Sequence, residues 1–189
     1  MKTLVLMGMK HSGKSTLARL VAEKNKLKFF DTDDVMFDMT GKTPREILSE
    51  GGAESFYAAE KNACQKVVDE INALSDKCAV VATGGGICNN KEAVELLKTA
   101  GVLVYLNVRK NVVTHRVVRE IKVAKDGSLS NMPAYIAKKN PRTIKEARKI
   151  FSDFFDERSK IYKEIADVTV NASYSKKKNA AILSELLHS

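Results

Sequence analysis

Gly8-Met9-Lys10-His11-Ser12-Gly13-Lys14-Ser15 sets two glycines, a lysine and a hydroxyl at the spacing G-x-x-x-x-G-K-[ST]. Glycines there let successive backbone N–H groups turn inward around phosphate oxygens, and a following helix adds the positive end of its dipole. Lys14 would reach the β- and γ-phosphates of a bound nucleotide, and the Ser15 hydroxyl would join the shell of a Mg²⁺ ion. The nucleotide set is then Gly8, His11, Ser12, Gly13, Lys14, Ser15 and Thr16. Within it, His11 has a blander reading as a solvent-facing loop histidine, and Thr16 as an ordinary first-turn residue. The buried strand before the segment and the helix after it argue against a glycine-rich turn that binds nothing.

Two further clusters follow apolar runs. Asp31-Thr32-Asp33-Asp34 comes directly after Leu27-Lys28-Phe29-Phe30. One carboxylate there can hold Mg²⁺ through water, and another can accept a hydroxyl proton. The structural alternative is a helix cap, with Asp33 or Thr32 as the capping residue. Thr83-Gly84-Gly85-Gly86 ends the run Cys78–Ala82 and permits close backbone approach to a bound molecule. Asp38-Met39-Thr40-Gly41 has the D-x-x-G form of GTP switches, but it ends no strand and no N-K-x-D segment follows.

Elements must bring these clusters together. Short apolar runs at 3–7, 27–30, 78–82, 102–106 and 168–170 alternate with helically spaced stretches at 14–24, 35–39, 43–49, 53–74, 91–98, 111–121, 143–165 and 179–187. Gly51-Gly52 separates the third helix from the fourth. Continuous apolar strands between helices predict an α/β fold, a parallel sheet covered on both faces. Ligands of such sheets bind beyond the carboxyl ends of the strands, where all three clusters fall. Residues 122–142 carry many lysines, weak periodicity and two of the three prolines, and read as a mobile segment.

Composition narrows the class. The 189 residues predict one domain, and 44% hydrophobic with 29% charged residues is ordinary globular usage. The net charge of +9 suits an anionic partner, nucleic acid or a phosphorylated small molecule. No basic stretch interleaved with aromatics accompanies it, so a nucleic-acid partner is not expected. No apolar run approaches the ~20 residues of a membrane span, and Met1–Gly8 lacks the pattern of a signal peptide. Three cysteines without a C-x-x-C pair suggest neither disulfides nor zinc. A cytoplasmic protein, monomeric and without a membrane partner, is expected.

The phosphate loop, the F-x-D-x-D of Phe29–Asp33, the F-x-x-x-E of Phe56–Glu60 and the G-G-G loop, in this order and spacing, resemble the shikimate kinase family over nearly the whole length. The resemblance implies a three-layer P-loop kinase fold, with a five-stranded parallel sheet in order 2-3-1-4-5 and a lid at about 122–142. Substrate-binding helices would span about 33–60. It also implies transfer of the ATP γ-phosphate to the 3-hydroxyl of shikimate. Carried over, Lys14 and Ser15 hold phosphate and Mg²⁺, and Asp31 resembles the carboxylate that holds Mg²⁺ through water. Asp33 resembles the residue that binds the substrate hydroxyls and serves as base. Gly84, Gly85 and Gly86 resemble the substrate-contacting loop, Arg158 the arginine that grips the shikimate carboxylate, and Arg116 one that stacks on adenine. The chain departs from the pattern twice. Tyr57 stands where the family has the arginine of F-R-x-x-E, and Met132 where it has the arginine of the lid. Tyr57 keeps a hydroxyl for the substrate, and Lys138, Lys139 or Arg142 are the lid cations that would compensate. The alternative is a paralogue acting on another small hydroxylated acid or polyol. A nucleotide kinase would need more arginines near the acceptor than Arg45, the one arginine in Pro44–Glu60.

Overall fold

The apolar runs become the strands of one parallel sheet in a computed structural model that describes residues 1–188. β1 (Leu4–Met7) is buried at every position because a neighbour lies on each edge and helices cover its faces. β2 (Lys28–Asp31), β3 (Ala79–Ala82), β4 (Val102–Asn107) and β7 (Val168–Asn171) complete the order β2-β3-β1-β4-β7. Counted over the parallel strands alone, this is the expected 2-3-1-4-5. Register pairs Leu4 with Val80 on one side and with Val102 on the other.

Helices α1 (Lys14–Asn25), α3 (Pro44–Ala73), α4 (Lys91–Ala100), α5 (Lys110–Arg119), α7 (Ile144–Ile165) and α8 (Lys176–Leu186) shield the sheet. They pair as α1 with α8, α3 with α4 and α5 with α7. Helix α2 (Thr32–Thr40) begins three residues before the expected Val35, so Asp33 and Asp34 lie in its first turn. The cap is neither Asp33 nor Thr32. Asp31, still extended at the end of β2, accepts the Asp33 N–H at 3.1 Å. The two helices expected at 43–49 and 53–74 form one run, α3, bent at Gly52, whose φ of 70° and ψ of −168° break the helix. Thr43 and Glu46 form a reciprocal capping box ahead of Pro44.

Residues 122–142 hold more structure than their weak periodicity suggests. β5 (Lys122–Val123) and β6 (Leu129–Ser130) pair antiparallel around the Asp126-Gly127 turn, and a short helix α6 (Ala134–Ala137) follows. Two-residue strands are too short to carry a period, so only the Asp-Gly turn signalled them. Among the described residues, no helix is long and apolar enough to cross a membrane.

Candidate active site

The loop from Gly8 to Gly13 bends through two positive-φ glycines, Gly8 at 147° and Gly13 at 97°. A Cβ on Gly8 would lie 3.0 Å from the Leu106 carbonyl, so the loop closes against β4 only because that atom is absent. Lys14 opens α1 with its side chain buried and folded back, its Nζ donating to the Met9 carbonyl at 3.0 Å. Burial pulls its pKa down to about 8, against the opposing pull of Asp33 and Asp31. Ser12 Oγ is buried with no hydrogen-bond partner. A cradle with an orphaned hydroxyl, a desolvated ammonium and a helix N-terminus fits a polyphosphate.

Two cavities meet at this loop. The first, about 550 Å³, is lined by Ser12, Gly13, Thr16, Arg109, Arg116, Ser173, Tyr174 and Asn179, among others. Arg116 donates to the His11 carbonyl at 2.8 Å, which ties α5 to the loop. His11 is half-buried rather than solvent-facing, its Nε2 3.1 Å from the Glu120 carboxylate. Burial lowers its pKa, and Glu120 works against that. Arg109, Ser173 and Asn179 went unnoticed in the sequence. For Arg109 and Ser173 the available signal was their place just past the carboxyl ends of β4 and β7; Asn179, inside α8, carried none.

The second cavity, about 590 Å³, gathers Lys14, Ser15, Asp33, Tyr57, Gly84, Gly85, Gly86 and Arg158. Asp31, at the end of β2, lies beside them through its bond to the Asp33 N–H. Burial and the neighbouring Asp31 push the Asp33 carboxyl up to about 6, and Lys14 opposes this. Thr32 Oγ1 accepts the Gly84 N–H at 3.2 Å, which draws the glycine loop onto the start of α2. A Cβ on Gly84 would lie 2.7 Å from Asp33 Oδ1, and one on Gly85 would lie 2.7 Å from the Lys10 backbone nitrogen. Arg158 donates to the Gly85 carbonyl at 2.6 Å and lies 4.2 Å from the centre of the Phe154 ring.

Glu60 is the residue the sequence reading left without a role. It is 0% exposed and lines this cavity, with Oε2 accepting from Asn90 Nδ2 at 3.1 Å and Oε1 without a partner. Burial pushes it up to about 7, with the Asn90 bond opposing. Residues 122–142 deliver Pro133, Ala134 and Tyr135 to the wall, whereas Lys138, Lys139 and Arg142 line neither cavity. Arg45 lines it beside Arg158.

A sequence profile of the family described as shikimate kinase matches residues 10–188. The shikimate kinase of Caldanaerobacter subterraneus subsp. tengcongensis is 32% identical over 92% of this chain and 88% of its own length. That of Sulfurihydrogenibium sp. is 29% identical over 99% and 96%. Among solved structures, the shikimate kinase of Bacteroides thetaiotaomicron has a TM-score of 0.75 at 22% identity, covering 100% of this chain and 99% of that one. The shikimate kinase of Acinetobacter baumannii in complex with shikimate has a TM-score of 0.71 at 24% identity, covering 100% and 94%. The fold of these enzymes therefore extends over the whole chain, around a loop that fits polyphosphate. With a profile and relatives that span nearly its full length, the chain belongs to the shikimate kinase family, whose members are ATP-dependent phosphotransferases.

Proposed function

We propose that this chain transfers the γ-phosphoryl group of ATP to the 3-hydroxyl of shikimate. The observation that carries the reading is one cavity lined both by Lys14 and Ser15 of the phosphate loop and by Asp33, the glycine loop and Arg158. Phosphoryl transfer needs little covalent chemistry from the protein, so positioning and charge do the work. The loop amides and Lys14 hold the ATP phosphates, and Gly8, His11, Ser12, Gly13, Thr16 and Arg116 belong to the nucleotide side. Asp33, below its raised pKa only in acid, is ionised at neutral pH; it orients the acceptor hydroxyl and takes its proton. Arg158 and Tyr57, with Gly84, Gly85 and Gly86, hold the rest of the acceptor. Residues 122–142 act as the lid that excludes water.

Mg²⁺ fits the residues present, because Ser15 and Asp31 offer the hard oxygen donors it prefers and phosphates and water supply the remainder. When bound, it neutralises phosphate charge. The reading further includes a cytoplasmic monomer with no nucleic-acid or membrane partner. Its +9 charge is put to the binding of anionic small molecules.

Tyr57 and Met132, in place of two arginines, favour a second reading: a paralogue that phosphorylates another small hydroxylated acid or polyol. ADP release with ATP and Mg²⁺, with and without shikimate, separates the two when the Asp33→Asn variant is run beside the unaltered chain. Shikimate-dependent release that disappears in Asp33→Asn supports the first reading. ATP binding without shikimate-dependent release sinks it and turns the search to other hydroxylated acids.

A further inference from the structure

Two guanidinium groups line the cavity around Asp33, and they come from different walls. Arg158 lies on α7, and Arg45 lies in the first turn of α3. Neither has a carboxylate within ion-pair distance among the described residues. Arg158 is held by a backbone carbonyl and an aromatic face. Arg45 is likewise held by neutral acceptors, the Met132 carbonyl at 2.7 Å and Asn131 Oδ1 at 3.5 Å. A guanidinium carries five N–H donors in a planar fork, and these bonds leave donors of Arg45 over for an anion. The phosphate end of the cavity has its own cations in Lys10 and Lys14. Two guanidiniums without an ion-pair partner on the acceptor side leave room for a second anion, and a carboxylate matches the fork.

We propose that Arg45 is the second guanidinium that grips the carboxylate of the acceptor together with Arg158, in place of the arginine that Tyr57 lacks. It is a specificity-determining residue. Its bonds to the Asn131 side chain and the Met132 carbonyl also join the acceptor to the lid. The cation comes from the first turn of α3. The inference rests on the proposed function, since it takes the acceptor to be a carboxylic acid of the shikimate type.

The test is steady-state kinetics with shikimate and with its uncharged methyl ester, for the unaltered chain, Arg45→Ala and Arg45→Lys. Arg45→Ala is expected to raise KM for shikimate by about 10- to 100-fold, the range of a lost charge-assisted contact. KM for ATP should stay put, and Arg45→Lys should recover part of the loss. With the ester, Arg45→Ala should cost a clearly smaller factor than with the acid, since only its hold on the lid is then lost. An unchanged KM for shikimate in Arg45→Ala overturns the proposal, and so does an equal rise for acid and ester, which would mark Arg45 as a support for the lid alone. A chain that leaves shikimate unphosphorylated before any substitution overturns the proposed function, and this inference with it.

Discussion

Lys14 and Glu60 are both buried ionisable groups at the mouth of the same sheet, and burial moves both toward neutrality. Lys14 is offset by incoming phosphate, so Lys14→Ala should abolish phosphoryl transfer while leaving the circular-dichroism spectrum and melting curve nearly unchanged. Turnover retained in a folded Lys14→Ala protein would remove the loop from the mechanism. Glu60 has no such offset, and its effect falls on stability. Its folded pKa of about 7 lies above the ordinary 4.5, so the folded chain binds more protons than the unfolded chain between those values. The contribution of Glu60 to stability is therefore greatest below the ordinary value and declines as pH rises toward 7. Asp33 adds a change of the same sign at lower pH. Glu60→Gln removes one of the two. Its Tm should lose less between pH 5 and 7.5 than that of the unaltered chain, by about 1–3 kcal/mol or roughly 3–10 °C. Parallel Tm profiles would mean that Glu60 is ionised in the folded protein.

At the scale of elements, the site depends on how closely loops approach one another. The loop after β3 touches the start of α2 through Gly84 and the phosphate loop through Gly85. The two glycines should respond differently to the same methyl group. In Gly85→Ala the methyl meets backbone, so either the phosphate loop or the glycine loop must shift. A loss of about 1–3 kcal/mol in stability is expected, together with weaker ATP binding. In Gly84→Ala it meets the end of the Asp33 side chain, which can swing aside. There Tm should hold nearly constant while turnover falls at least tenfold, because Asp33, the proposed base, has left its position. Calorimetry beside ADP release checks both, and equal melting losses in the two variants would contradict the distinction.

On the scale of the whole molecule, residues 122–142 reach from α5 to α7 across the acceptor cavity and are pinned by Arg45. Their lysines are exposed, and Lys125 and Asp126 sit beside the Gly127 turn, a site open to proteolysis. Trypsin should cut within 122–142 more slowly when a nonhydrolysable ATP analogue and shikimate are both present than with either alone. Equal cutting rates in all mixtures would remove the segment from closure.

The alternation of apolar runs and amphipathic helices was legible from the sequence, and so was the order of the sheet once the family pattern was on the page. Runs such as Val80-Val81 and Leu103-Val104 have one stable environment, a strand covered on both faces. The phosphate loop was equally plain, because Gly8, Gly13, Lys14 and Ser15 are local and their geometry follows from the chain itself. Groups that matter through contacts distant in sequence were not legible. Glu60 is raised by burial that α3 acquires only when packed, and Asn90, thirty positions away, engages just one of its oxygens. Arg45 reaches Met132 across 87 positions of sequence. Local pattern determined the elements and the phosphate loop, since backbone propensity and hydrophobic period act over a few residues. Tertiary structure alone decided which unpaired charges share a cavity, because desolvation and long-range contact arise only when the elements close on one another.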